Sequence, residues 1–290
     1  MYTLITGASG FIGTRLAQRI ASQHPVICLS RNLAKVDEYS IQGEFQSLND
    51  LHQLDKFSIS CVVHLGAVTG GCSEEDGLAV NVLGTRRLIR YLADRGCRKF
   101  LLASSIAAVG CLDPAFVPLH LPITEEHPCL AHDAYGFSKS VVEDLTRYFS
   151  RVHPDLDLTN FRFGVVVDET TWTPPLPEVK PQVRNPFAHF ARVMLDDVTR
   201  ALSMAIDAPH QPGVKVYNIV GPDTSAYAPV PDLLKSLDNP QIDQLDQSWY
   251  STPEQRYDPL YSMEKIKREL GFVPQLSTRS RMTQPSSISQ

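Results

Sequence analysis

The stretch "TGASGFIG", residues 6–13, decides how this chain is read. Gly7, Gly10 and Gly13 are spaced evenly, after the apolar run "YTLIT" and before "FIGTRLAQRIASQ". In that second run Ile12, Leu16, Ala17 and Ile20 recur at helical spacing. Glycines placed between a strand and a helix each have a physical use. The first permits a tight turn, the second lets backbone approach a pyrophosphate, and the third lets the helix pack on the strand. The helix N-terminus adds the positive end of its dipole and unpaired N–H donors. A dinucleotide site is therefore expected over Gly7, Ser9, Gly10, Phe11, Ile12 and Gly13. A purely structural turn is the alternative.

The rest of the chain supplies the context that this motif requires. "PVICLSR", "CVVHLGA" (61–67), "KFLLASS", "LTNFRFGVVV" and "KVYNIVG" read as strands. "LAVNVLGTRRLIRYLADRG" reads as one long amphipathic helix ending at Gly96. "AYGFSKSVVEDLTRYFSRV" reads as another, with Val141, Val142, Leu145 and Tyr148 or Phe149 on its apolar side. Strands alternating with helices specify βαβ units, and continuous apolar strands fit a sheet covered on both faces. The expected fold class is α/β, a doubly wound parallel Rossmann sheet with a small discontinuous C-terminal substrate-binding region. "TWTPPLPEVKP" (171–181) is expected to be an extended loop over a site, a PxxP ligand being the alternative. The polar end, "STRSRMTQPSSISQ", is expected to be mobile.

Composition narrows the function classes. The 290 residues suffice for one large domain or two unequal ones, and 43% are hydrophobic. A net charge of −5 argues against nucleic acid as the main partner. The six cysteines form no CxxC pair and lie scattered through the first half. No signal peptide is read before the first strand, and no apolar run approaches the length of a membrane span. A cytoplasmic protein with no membrane partner is expected.

The glycine spacing, with Thr6 in front, resembles the extended short-chain dehydrogenase/reductase family, the group that contains nucleotide-sugar epimerases and dehydratases. "VVHLGA" resembles the family's HLAA strand end, which lies along the cofactor and here comprises Leu65, Gly66 and Ala67. "NVLGTRRL" is similar to N-x-x-G-T-x-x-L, "LLASSIAAVG" to S-S-x-x-x-Y-G, "YGFSK" to Y-x-x-x-K and "MLDDVTRAL" to H-V-D-D-V-x-x-A. "VYNIVG" and "MEKIKRELGFVP" resemble the late strand and the last helix, so the likeness runs from residue 3 to about residue 274. It implies a dinucleotide-binding domain over 1–165 and 190–221, with the substrate region over 166–189 and 222–290. It also implies a homodimer, formed by pairing the N-x-x-G-T and Y-x-x-x-K helices.

Tyr135 and Lys139, at i and i+4, share one helix face. A free tyrosine titrates near pH 10, too high for a base at neutral pH. A neighbouring ammonium and an oxidised nicotinamide would lower that value. Tyr135 is then the expected acid/base, the role the family gives it, and Lys139 the expected holder of the nicotinamide ribose. Counting back from Gly110 puts the family's catalytic hydroxyl on Ser105. Ser104 then faces away, because neighbours on a strand alternate. The family tyrosine before that glycine is Val109 here. Asn81, disfavoured inside a helix, is expected to act as structural support or a proton relay.

Arg31, just past the second strand, stands where NAD-preferring members carry an acid, which favours NADP over NAD. The family's third strand usually ends in Asp-Leu, matched here to Ser47-Leu48 in "QSLND". Val165 stands where the nucleotide-sugar enzymes carry a substrate-binding Asn, which argues for a smaller substrate. Thr69 and Ser73, in or beside "GGCSEEDG", and Arg192, in "ARVML", are the expected substrate contacts. His120, His127, Cys129 and His132 lack the tight paired spacing of a zinc site, so no metal is expected.

The expected activity is hydride transfer between a nicotinamide cofactor and a hydroxyl or carbonyl carbon of a small, polar, sugar-like molecule. The alternatives are a nucleotide-sugar 4-epimerase or related epimerase with retained cofactor, and a non-catalytic cofactor-binding sensor. Dehydration is disfavoured because Ser105-Ile106-Ala107 replaces the family's Thr-Asp-Glu.

Overall fold

A computed structural model describes residues 1–33, 37–175 and 183–282. The short apolar runs become strands. In chain order they are β1 (Tyr2–Thr6), β2 (Val26–Ser30), β3 (Ser40–Gln42), β4 (Ile59–His64) and β5 (Lys99–Ser105). They continue as β6 (Asp157–Phe163), β7 (Val165–Val167), β8 (Arg192–Met194) and β9 (Gly213–Ile219). Among the described residues, seven of them form one sheet in the order β3-β2-β1-β4-β5-β6-β9, every pair parallel. The order reverses between β1 and β4, which opens a crevice at the carboxyl ends of those strands.

Four longer helices matter for the site. They are α1 (Phe11–Ile20), α2 (Thr85–Ala93), α3 (Ala134–Val152) and α4 (Leu195–Asp207). Neighbouring strand residues enter opposite cores. Ile5, Val63, Leu101 and Phe161 pack on the side of α1 and α4, with Leu16, Ile20, Val198 and Leu202. Leu4, Val62, Phe100, Leu102 and Leu158 pack on the side of α2 and α3, with Leu88, Leu92, Val142 and Phe149. Both faces are covered, so the strands have no polar face to show, and the doubly wound parallel sheet is as expected.

Several boundaries differ from the sequence reading, each for a contact distant in sequence. The helix expected from Leu78 begins with a short turn at Glu74–Asp76, passes through a π-helix over Gly77–Gly84, and only then becomes α2. Side chains on Gly77 or Gly84 would meet Ala134 or Phe45, so this segment is packed too closely for ordinary residues. "LTNFRFGVVV" breaks at Gly164, where a methyl group would lie 2.3 Å from the Ala191 carbonyl oxygen. Beyond the break, β7 pairs with β8 in a separate small sheet. In α3, Phe149 is buried and Tyr148 is exposed. Residues 277–282 of the expected mobile end are ordered. Arg279–Met282 is helical, and Thr278 is buried against Ser225 at 2.7 Å. Residues 176–181 of the proline-rich stretch and 283–290 lie outside the described residues.

A buried ion pair fixes α3 on the sheet. Glu143 accepts from Arg162 Nε and NH2 at 2.9 and 2.8 Å and from Ser104 Oγ at 2.7 Å. Neither charged side chain is more than 1% exposed. Removing one partner strands the other charge in a dry interior. Glu143→Gln is expected to lower stability by about 3–5 kcal/mol, measured as a drop in the urea midpoint. Replacing both residues with apolar ones of similar volume should recover much of the loss, because no uncompensated charge then remains.

Candidate active site

The dinucleotide cradle is built from backbone. Gly7 adopts φ +67°, a left-handed conformation that glycine reaches without strain. A methyl group there would lie 2.8 Å from Gly66 N, and one on Gly13 would lie 2.3 Å from the Gly7 carbonyl oxygen. The turn, the end of β4 and α1 therefore press against one another with no room for side chains. Gly10 precedes α1 in extended conformation, and neither a side-chain cap nor a first-turn acid covers the helix start. The first N–H groups of α1 remain open to an anionic ligand.

These groups face a cleft of about 440 Å³. Gly7, Ser9, Gly10, Phe11, Ile12 and Gly13 line it, together with Leu65, Gly66, Ala67, Thr69 and Arg31. Leu65–Ala67 have left the sheet, since β4 stops at His64. Ser9 and Ser30 hydroxyls meet at 2.7 Å beside Arg31. The cleft has the shape and donor set that a dinucleotide needs, with backbone amides at its centre and a cation at one end.

Sequence reasoning missed the far wall. Gly43, Glu44, Phe45 and Gln46 line the cleft, whereas Ser47 caps the Leu48–Leu51 helix by accepting from Asp50 N. The pair matched to the family's Asp-Leu was therefore misplaced. The usable signal was Gly43 followed by an acid and an apolar residue. Asp50 secures this turn by accepting from Glu44 N at 2.8 Å.

The chemistry-bearing side chains sit at the carboxyl end of β5 and the start of α3. Ser104 turns away to Glu143, while Ser105 accepts from Ala107 N at 3.1 Å and its side chain lies close enough to Tyr135 to favour the phenolate. Lys139 donates to the Ala103 carbonyl at 2.7 Å, and its Nζ lies 5.7 Å from the Tyr135 ring centre. Ala103 also lines the cleft, which connects this group to the cradle. Asp133 caps α3 by accepting from Gly136 N at 2.8 Å, so the helix starts just before Tyr135.

The electrostatics differ from the expectation in one respect. Burial pushes the Tyr135 phenol above its ordinary value, the neighbouring Ser105 side chain opposes that shift, and Lys139 is not among its causes. Burial also lowers Lys139 to about 8. A low-dielectric pocket disfavours both charged forms, which raises the phenol and lowers the ammonium.

Asn81 projects from the π-helix and acts as a brace. It bonds Val68 through both N–H and carbonyl, at 2.9 and 3.0 Å, and donates to Ser138 Oγ at 2.9 Å. It thereby ties the Leu65–Thr69 segment to α3. Ser73 is turned to local use, capping Glu74–Asp76 and donating to Asp76 at 2.8 Å. Arg192 lies on β8, beside Trp172 and outside the cleft lining. His120 and His127 bond Thr124, Leu119 and Pro128, and so hold their own loop together.

The likeness to known proteins agrees with this geometry. The family model described as "NAD dependent epimerase/dehydratase family" matches residues 3–176. A UDP-glucose 4-epimerase 2 of Oryza sativa subsp. japonica is 28% identical over 55% of this chain and 43% of its own length. A UDP-glucuronate 4-epimerase of Thermodesulfobacterium geofontis is 26% identical over 56% of this chain and 60% of its own. The chain thus spans about half the length of these curated relatives. Among solved structures, a short-chain dehydrogenase/reductase superfamily protein from Agrobacterium tumefaciens with bound NAD superposes with a TM-score of 0.71 at 20% identity. That match covers 97% of this chain and 94% of the other. The UDP-glucose 4-epimerase from Bifidobacterium longum with NAD+ and UDP gives a TM-score of 0.70 at 18% identity, covering 96% and 95%. At these identities the structures speak for the fold alone.

The buried lysine has a consequence for stability. A folded-state value near 8, against an unfolded one near 10.5, means the unfolded chain binds more protons between those limits. Stability therefore rises with pH across that window, and below it the buried ammonium is a full burden. At pH 7 Lys139→Met is expected to stabilise the protein without cofactor by on the order of 1–2 kcal/mol, after the lost bond to Ala103. Urea unfolding at pH 7 and pH 10 checks this: the gap between mutant and wild type should narrow at the higher pH.

Proposed function

The chain belongs to the NAD dependent epimerase/dehydratase family, and from that premise we propose that it is an oxidoreductase acting on a hydroxyl or carbonyl carbon of a small, polar, sugar-like substrate. The observation that carries this reading is the convergence of Ser105, Tyr135 and Lys139 beside the glycine cradle. A nicotinamide dinucleotide bound in the cleft would supply the hydride acceptor or donor. The chain's own residues supply the proton chemistry. Tyr135 holds a proton at its phenolic oxygen and exchanges it with the substrate oxygen. Ser105, whose side chain lies beside that of Tyr135, would hold that oxygen in place. Lys139 stands on the cofactor side, anchored to Ala103. Because burial favours the neutral phenol, Tyr135 is prepared to donate to a carbonyl.

The finer parts of the reading rest on separate features. NADP is preferred over NAD because Arg31, an exposed cation at the cleft's end, suits a 2′-phosphate. A homodimer would cover the exposed Leu83, Phe137, Tyr148 and Val152 on the Asn81 and Tyr135 helices. The substrate side is formed by 166–189 and 222–290. A second reading, epimerisation of a nucleotide sugar with the cofactor retained, is favoured by the UDP-sugar 4-epimerases among the relatives. Val165, exposed at the start of β7, leaves such a substrate without the Asn that the family provides. Calorimetry with UDP-sugars separates the two. Tight binding followed by epimer formation would displace the first reading.

Tyr135→Phe is expected to leave dinucleotide affinity near that of the wild type and to lower turnover by about 10²- to 10⁴-fold, as for a removed acid/base. Wild-type turnover in this variant would move the proton-transfer role elsewhere. Arg31→Ala should weaken NADPH by about 1–3 kcal/mol in a direct titration and leave NADH little changed. Tighter binding of NADH by the wild type would overturn the preference.

A further inference from the structure

Asp133 stands two residues before Tyr135 and is the residue from which α3 starts. One of its oxygens reaches forward and accepts from the Gly136 N–H at 2.8 Å. The other, Oδ2, is buried and has no hydrogen-bond partner among the described residues. Its surroundings are defined by what a side chain on Gly136 would strike. A methyl group there would lie 2.8 Å from Asp133 Oδ2, 2.4 Å from the Ala107 carbonyl oxygen and 2.7 Å from Ala131 Cβ. The carboxylate thus occupies a narrow seam between the start of α3 and the turn that follows Ser105. Neither the Ala107 carbonyl nor the Ala131 methyl can donate a proton to it.

A helix cap needs one acceptor and no charge, and Ser, Thr or Asn would serve as well. Capping therefore accounts for one oxygen of Asp133 and leaves the buried, unmatched one unexplained. Other buried carboxylates are matched: Glu143 by Arg162, Asp157 by Lys215 and Asp197 by Arg200. The groups able to carry charge around the Tyr135 phenol come from three segments. Asp133 and Lys139 belong to the helix, Cys72 to the loop after β4, and Cys111 to the turn after β5. Burial raises the phenol most, Ser105 opposes the rise, and Asp133, Cys72 and Cys111 each add to it. Thiols are largely protonated at pH 7, and burial pushes that of Cys111 up to about 12. At neutral pH the negative charge in this set is accordingly the carboxylate. The opposing cation, Lys139, is itself brought down by burial to about 8. An unmatched anion in a low-dielectric seam penalises a second anion beside it.

We propose that Asp133 is a positioning residue for Tyr135: it starts α3 at the register that sets the tyrosine beside Ser105, and its unmatched charge keeps the proton on the phenolic oxygen, so that the resting site is a proton donor suited to a carbonyl substrate. This rests on the reading of Tyr135 as the acid/base and adds to it the direction that the resting site favours.

The test is Asp133→Asn in the whole chain, because asparagine caps as well as aspartate and only the charge is removed. The readout is the NMR signal of tyrosine carrying carbon-13 at Cζ. Of the ten tyrosines, Tyr135 is the one whose signal Tyr135→Phe removes. Movement of that signal with pH measures the phenolate fraction, and a partial titration up to about pH 10 suffices. At a given pH the fraction in Asp133→Asn is expected to exceed that in wild type by about 3- to 10-fold, a fall of about 0.5–1 unit in the midpoint, with the urea midpoint unchanged. Asp133→Ser, which caps through its hydroxyl, carries the same expectation and serves if the first variant folds poorly. A merely structural cap would leave the phenol unmoved in both. Equal phenolate fractions in wild type and the folded variants overturn the proposal, as does a lower fraction in the variants or no ionisation in any of the proteins. Failure of the reaction assignment is distinguishable. A phenol released by Asp133→Asn, in a protein that changes no nicotinamide absorbance with any carbonyl or hydroxyl substrate, refutes the hydride-transfer reading alone. Turnover by wild type, with a phenol indifferent to Asp133, refutes the role of Asp133 alone.

Discussion

The buried pair of Glu143 and Arg162 joins the helix that carries Tyr135 and Lys139 to the strand beside Ser105. Everything catalytic in the proposed site depends on that junction. Tyr135 and Lys139 lie on α3, Ser105 on β5, and the two elements meet where Glu143 also accepts from Ser104. Ser104 and Ser105 therefore have complementary tasks. One fastens the strand to the helix, and its neighbour, pointing the other way, lies beside Tyr135 in the proposed site. An ion pair suits this junction because its directional bonds fix a register that apolar packing alone would leave adjustable.

A second constraint is the closeness of backbone around the cradle. Gly7, Gly13 and Gly66 let three segments touch without intervening side chains. Phe45 then fills the space that Gly66 and Gly84 leave, with its ring 4.7 Å from that of His64. His64 is fully enclosed between Thr6 and Thr85, and burial drops its pKa to about 3. It serves as a neutral linker between β1, β4 and α2. The cleft is thus walled by groups that are either backbone or uncharged, and the charges that remain, Arg31 and Glu44, sit among its lining residues at the second and third strands.

What the sequence made legible was local. Gly7, Gly10 and Gly13 before an amphipathic run, Tyr135 four residues before Lys139, and the alternation of Ser104 with Ser105 each need only neighbouring residues and one element geometry. What it concealed depends on partners far along the chain. The π-helix around Asn81 exists where Val68 and Ser138 take that side chain, and no propensity announces it. β7 is strand because β8, residues 192–194, lies beside it. The Glu44–Phe45 wall was missed because the third strand is only three residues long, too short to fix where it ends. The polar residues 277–282 order through Ser225 and Asp223, which composition cannot foresee. The lowering expected for Tyr135 invokes an ammonium together with an oxidised nicotinamide; among the protein's own groups, burial sets the direction.

The loop from Asp168 to Trp172 ties the glycine cradle's helix to the small β7–β8 sheet. At one end Asp168 and Glu169 hold Arg15 on α1, one turn past the glycine cradle, and Glu169 also accepts from Asp196 N at the start of α4. At the other end Trp172 lies against Arg192 and gives its carbonyl to Arg281 from the C-terminal segment. The loop's course is therefore set by partners on three separate elements, α1, α4 and the C-terminal segment, none of which adjoins it in sequence, which is why no local pattern in residues 168–172 announces where it lies.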